Sequence, residues 1–145
     1  MSQQLKTPTL IDVRGPRFSA TITVIVLAIA LATQNAWVLA LQGVVFAIGA
    51  IRGPQFTPYA VIFKKLINPR LKSEATFEDV RPPQFAQSVG LGFALVAVIA
   101  SVTGADGLFT IAIGFALAAA FLNSAFNFCL GCQVYLLLLR ARVAK

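Results

Sequence analysis

Two cysteines, Cys129 and Cys132, are the only thiols in the chain and stand three residues apart in the string Asn127-Phe128-Cys129-Leu130-Gly131-Cys132-Gln133. Residues at that spacing on a helix, or at its start, share one face and lie within reach of a common disulfide. At a helix N-terminus the unpaired N–H groups stabilise a thiolate, the species that attacks disulfides. The chemistry this permits is dithiol–disulfide cycling, or carriage of a persulfide. Cys129 is the better nucleophile if it opens the terminal helix, with Cys132 resolving; the roles reverse under other geometry. A blander reading stays open beside this one, because free cysteine is commonly a small buried apolar residue packed inside a helix.

The neighbours of the pair could line a site: Asn123, Asn127, Gly131 and Tyr135. Gly131 suits a turn or a close approach. Phe128, Leu130 and Tyr135 would limit access of water and of partners. Asn123, Ser124 and Asn127, together with Ala116, Ala120 and Gly131, form a small and polar stripe that equally suits hydrogen bonding between packed helices. Two thiolates without a histidine leave structural zinc short of ligands, so one chain calls for no metal and no cofactor. A dimer would bring four cysteines together.

The elements that must position these residues belong to a membrane. Of 145 residues, 58% are hydrophobic and the mean hydropathy is +0.82, too apolar for a soluble domain of this size. The pI near 10.1 invites a nucleic-acid reading. The basic residues do not form a face, however: all 12 lysines and arginines fall in three short segments that flank apolar stretches. That is the positive-inside pattern, which excludes nucleic acid as the partner the charge implies. Histidine is absent, removing haem ligation and a neutral-pH imidazole relay.

No charge occurs between Arg17 and Arg52. One helix of that length would measure about 50 Å against a hydrocarbon core of about 30 Å, so the stretch reads as two spans, 18–33 and 36–51, turning at Gln34-Asn35. Residues 85–126 repeat the design, with a span over 85–103, a turn at Gly104-Ala105-Asp106-Gly107 and a second span from Leu108. The fold class expected is therefore all-α and integral to the membrane. It has four transmembrane helices in two tandem hairpins, each followed by a cytoplasmic interfacial helix, with both termini cytoplasmic. Ala30-Leu31-Ala32 imitates a signal-peptide cleavage site, but the long polar leader before Phe18 argues against cleavage.

Segment 52–84 forms a cytoplasmic loop between the hairpins. Within it, Thr57 can cap a helix with Pro58 at its first position, and Pro69 should stop it. Tyr59, Ile62, Phe63 and Leu66 then share a face, with Lys64 and Lys65 off it, which predicts an amphipathic helix near 58–67 on the membrane surface. Asp12-Val13-Arg14-Gly15-Pro16-Arg17-Phe18 resembles Asp79-Val80-Arg81-Pro82-Pro83-Gln84-Phe85, and each string precedes a hairpin. Two hairpins in the same orientation imply a duplicated unit and a pseudo-twofold axis along the membrane normal. By analogy, the last span should end near Phe126 and a new helix should begin around Cys129, giving a C-terminal segment over 127–145; the competing picture is one long helix from Leu108 to Leu139, about 48 Å, which would need tilt or protrusion.

With these strings in view, and with Asn68-Pro69-Arg70-Leu71, Ala86-Gln87, Leu122-Asn123 and Tyr135, the chain resembles a family of small bacterial membrane proteins whose domain is of unknown function. The resemblance covers nearly the whole length, and the Cys129-Leu130-Gly131-Cys132 string is its most specific part. It implies a multi-pass protein of the bacterial cytoplasmic membrane. Members are similar in lying beside thioredoxin-like and sulfurtransferase proteins in their genomes, which implies thiol or sulfur chemistry with such a cytosolic partner. The leading expectation is a membrane thiol protein that exchanges at Cys129 and Cys132. The alternatives are a non-catalytic subunit or scaffold of a larger membrane complex, or of a homo-oligomer, and a small transporter of a sulfur species.

Overall fold

The computed structural model describes residues 10–70, 77–126 and 128–144. Chain order runs β1 (Leu10–Asp12), α1 (Arg14–Thr33), α2 (Ala36–Ile51), α3 (Pro58–Ile62), β2 (Phe77–Asp79), α4 (Arg81–Thr103), α5 (Asp106–Phe126) and α6 (Leu130–Ala144). A 3-10 turn over Pro54–Phe56 precedes α3.

Local chemistry explains the helix ends. The Asp12 carboxylate accepts the Arg14 amide N–H at 3.0 Å, and Asp79 accepts that of Arg81 at 2.9 Å. These caps start α1 and α4 four residues before Phe18 and Phe85, where the apolar runs begin. Gln34 ends α1 in a left-handed conformation at φ 53°, and Asn35 then caps α2 by accepting the Trp37 N–H at 2.8 Å. Gly104, at φ 85°, ends α4 without the Cβ penalty a side chain would bring. The turn between α4 and α5 is therefore Gly104-Ala105 alone, because Asp106 and Gly107 already belong to the first turn of α5.

Helices α1, α2, α4 and α5 pack in a closed ring, each against two neighbours: α1 on α2, α2 on α4, α4 on α5 and α5 on α1. Small residues fill the centre. Ala30, Ala94, Ala97, Ala100 and Ala112 are buried around Leu27, Leu39, Phe46, Phe109 and Ile113. Many other large apolar side chains point outward, with Leu41 70% and Phe115 63% exposed. Alanines interleaved with a few large residues inside, and many large apolar side chains outside, suit a lipid solvent, where close backbone approach drives association. Gly90 shows that approach: a Cβ there would lie 2.7 Å from the Phe46 ring. Gly43 faces Ala94 at ordinary contact distance, whereas Gly114 has nothing within 4 Å.

Three helices among the described residues are long and apolar enough to cross a membrane: α1 with 20 residues, α4 with 23 and α5 with 21. Helix α2 is also apolar but has 16 residues.

Sequence reasoning missed the ribbon outside the bundle. Strands β1 and β2 pair antiparallel with Leu10 opposite Asp79, Ile11 opposite Glu78 and Asp12 opposite Phe77. Three residues are too few for an alternating pattern to show.

Helix α3 departs from expectation in two respects. Pro69 does not stop it abruptly; the chain widens into a π-helical turn over Phe63–Ile67 and closes with a 3-10 turn over Asn68–Arg70. The Asn68 N–H reaches back to the Phe63 carbonyl, a wide turn that accommodates a proline without its own N–H. The apolar face also divides. Phe63 is buried and Tyr59 half-buried against the bundle, while Ile62 and Leu66 are exposed.

Candidate functional site

The cysteines lie where the chain passes from α5 into α6, Cys129 just before α6 and Cys132 in its first turn. The chain leaves α5 at Phe126, and the Phe128 N–H returns to the Leu122 carbonyl at 3.1 Å, satisfying one of the helix's orphan acceptors. Cys129 sits immediately before α6, its carbonyl accepting the Gln133 N–H at 3.1 Å. Its Sγ accepts the Cys132 N–H at 3.1 Å, so Cys129 caps the helix with sulfur. Cys129 and Cys132 are joined as a disulfide, with their Cα atoms 5.2 Å apart. Both are half-buried.

Helix α4 holds this turn in place. A Cβ on Gly131 would stand 2.5 Å from Ala86 Cβ and 2.6 Å from Ala86 Cα, so glycine lets α6 meet the α4 backbone directly. One turn further on, the Tyr135 ring packs on Phe85 with centroids 5.5 Å apart. Gly131 and Tyr135 thus anchor the disulfide to α4. Neither Ala86 nor Phe85 carried a sequence signal for this role; the contact depends on how two distant helices meet.

The polar stripe on α5 lies elsewhere. Ser124 Oγ shares a hydrogen bond of 2.8 Å with Thr21 Oγ1, and Arg17 Nε donates to the Ser124 carbonyl at 3.1 Å. These bonds join α5 to α1, and the arginine neutralises the negative end of α5. Asn123 is half-buried in the same last turn. Asn127 lies outside the described residues.

A comparable arrangement exists at α3. Thr57 Oγ1 accepts the Ala60 N–H at 3.2 Å, as Cys129 Sγ accepts that of Cys132. The Phe63 ring packs on Phe18 at 5.7 Å, as Tyr135 packs on Phe85. Gln84 Nε2 donates to the Ala50 carbonyl in the last turn of α2 at 2.9 Å, as Arg17 does at the end of α5. At this α3 end Gln42 is 1% exposed and accepts the Tyr59 hydroxyl at 2.7 Å, while its amide nitrogen lies 3.4 Å from Thr23 Oγ1. Burial raises the Tyr59 hydroxyl above its ordinary pKa, keeping it protonated as the donor.

The ribbon carries two matched ion pairs. Arg14 grips Asp12 through Nε and Nη2, with Nη2 at 2.7 Å from Oδ2, and Arg81 grips Asp79 in the same fork. The side-chain hydrogen bonds from the guanidinium hold each carboxyl below its ordinary value, against a smaller opposing effect of burial. Arg14 Nη2 also donates to Asn68 Oδ1 at 2.7 Å, tying the end of the α3 segment to the ribbon.

Apolar spans with an alanine-rich core and an apolar outer surface define a multi-pass helical membrane protein. Residues 11–140 match the family described as a domain of unknown function (DUF4395), and the chain belongs to that family. No curated protein and no solved structure matches it.

Proposed function

We propose that this protein is a four-span thiol protein of the bacterial cytoplasmic membrane, exchanging disulfides or carrying a persulfide at Cys129 and Cys132 with a soluble cytosolic partner. Helix α2 serves as the fourth span. Its 16 residues reach about 24 Å, a mismatch of a few ångströms that local bilayer thinning absorbs. The spans form two tandem hairpins, α1–α2 and α4–α5, related by a pseudo-twofold axis. The matched caps, ring pairs and ion pairs of the two halves support that reading. The positive-inside distribution then sets both termini, α3 and α6 on the cytoplasmic side.

The observation that carries the thiol reading is the bonded cysteine pair at the start of α6. A partner thiolate attacks Cys129 Sγ, the intramolecular S–S bond breaks, and Cys132 leaves as a thiolate. A second partner thiol then resolves the mixed disulfide and releases Cys129. The partner departs as a disulfide, and this chain gains two electrons and, on equilibration, two protons. Backbone N–H groups in the first turn of α6 favour the thiolates formed.

The exchange runs in reverse when a reduced chain meets an oxidised partner: Cys129 attacks the partner's disulfide and Cys132 resolves the adduct. In cells, a Cys132→Ser variant should therefore accumulate a reductant-sensitive adduct with its partner on a non-reducing gel. A Cys129→Ser/Cys132→Ser variant should show no adduct. Full cellular activity of that double variant would sink the thiol reading.

A further inference from the structure

The exchange proposed above leaves this chain holding two electrons after each partner it oxidises, and Cys129 and Cys132 are its only thiols. No second cysteine pair can pass those electrons on. Repeated turnover in that direction needs an oxidant that reaches the reduced pair, and the surroundings of the pair select its kind.

Gly131, between the cysteines, meets α4 at Ala86, inside the apolar run that begins at Phe85 and about 8 Å along the helix from Arg81. The cysteine end of α6 thus lies against the apolar part of α4, and the basic residues Arg140 and Arg142 come only at its other end. No charged residue occurs between Asp106 and Arg140. Phe126, Phe128 and Leu130 flank the pair and are all exposed, while the cysteines themselves are half-buried. An oxidant that arrives through the bilayer therefore meets apolar and aromatic side chains directly beside the sulfurs.

We propose that a lipid-soluble quinone re-oxidises the pair from the bilayer side, its ring seated against Phe128 and Leu130. The Sγ–Sγ bond forms, each thiol gives up its proton, and the two electrons and two protons convert the quinone into its quinol. A quinone partitions into hydrocarbon, accepts the two electrons that one dithiol yields, and offers a flat ring for an aromatic side chain to pack on. The inference rests on the thiol reading above and names the second reactant of that site.

The test uses the full chain in nanodiscs, reduced with dithiothreitol, freed of it, and mixed without oxygen with a fully substituted, long-tailed benzoquinone. Thiol loss and quinol absorbance are followed together. One quinol should appear for each pair of thiols lost, at a rate that saturates with quinone content, and none should form with Cys129→Ser/Cys132→Ser. Phe128→Ala removes a ring from the seat and should raise the half-saturating quinone content about tenfold, with Leu130→Ala shifting it in the same direction. Leu41→Ala, exposed on α2, should leave it unchanged. A rate that rises without saturating, or one that responds alike to Phe128→Ala and Leu41→Ala, means random collision and overturns the proposal. Thiols that persist with the quinone yet are oxidised by glutathione disulfide remove this proposal alone. Thiols inert to both oxidants remove the thiol reading with it.

Discussion

Gly131 is the residue on which the cysteine turn depends, and its neighbourhood separates two kinds of glycine in this chain. A methyl group at Gly131 meets the Ala86 backbone, which cannot swing aside as a flexible side chain would. Gly131→Ala should therefore cost about 1–3 kcal/mol through overpacking, read as a lower melting temperature in detergent. Gly114 lies inside α5 with open space around it, so Gly114→Ala should stabilise by up to about 1 kcal/mol through helix propensity. Opposite signs from the same chemical change would show that α6 docks on α4 as described; a neutral Gly131→Ala would contradict the contact. The cysteine spacing and the suitability of Gly131 for close approach were legible in the sequence, because two thiols and a glycine carry meaning by type. Ala86 was not legible, since an alanine in an apolar helix looks alike whether it faces lipid or another backbone.

At the scale of elements, the ribbon and its ion pairs fix where α1 and α4 begin. Asp12 and Asp79 have folded-state pKa values below their ordinary value of about 3.9, held there by Arg14 and Arg81. The sign follows from linkage: the unfolded chain binds these protons more readily, so the stabilisation is fully present above about pH 4 and disappears as pH falls through the folded values. Wild type should therefore melt higher than Asp12→Asn/Asp79→Asn at pH 6, with the gap narrowing as pH falls below about 4. A gap that persisted undiminished at pH 3 would assign the effect to shape rather than charge. The helical class and the apolar stretches of this molecule were readable beforehand, because a bilayer demands long uncharged runs. The start of α1 and α4 at Arg14 and Arg81 was not, because an aspartate two residues before each arginine supplies the cap while the apolar signal begins only at Phe18 and Phe85. The π turn before Pro69 was equally hidden, as it answers a backbone requirement that side-chain periodicity does not record.

For the molecule as a whole, the proposed duplication makes the two halves comparable position by position. Thr57 caps α3 from the place where Cys129 caps α6, and Ala60 receives that cap where Cys132 does. The distances from cap to amide, 3.2 Å and 3.1 Å, describe the same turn built with oxygen in one half and sulfur in the other. If this correspondence holds, the turn at α3 already has the geometry a disulfide needs, and only the thiols are missing. A Thr57→Cys/Ala60→Cys variant, made with Cys129→Ser and Cys132→Ser, should then close a bond under mild oxidant. Loss of both reactive thiols and a mass decrease of two hydrogens would report it. The exchange also replaces a threonine cap by a weaker sulfur acceptor, so the reduced variant should be less stable by about 1 kcal/mol and recover on oxidation. Two thiols that stay titratable under the same oxidant would mean that the α3 and α6 turns differ in backbone despite their matching caps, and the pseudo-twofold would then stop at the spans.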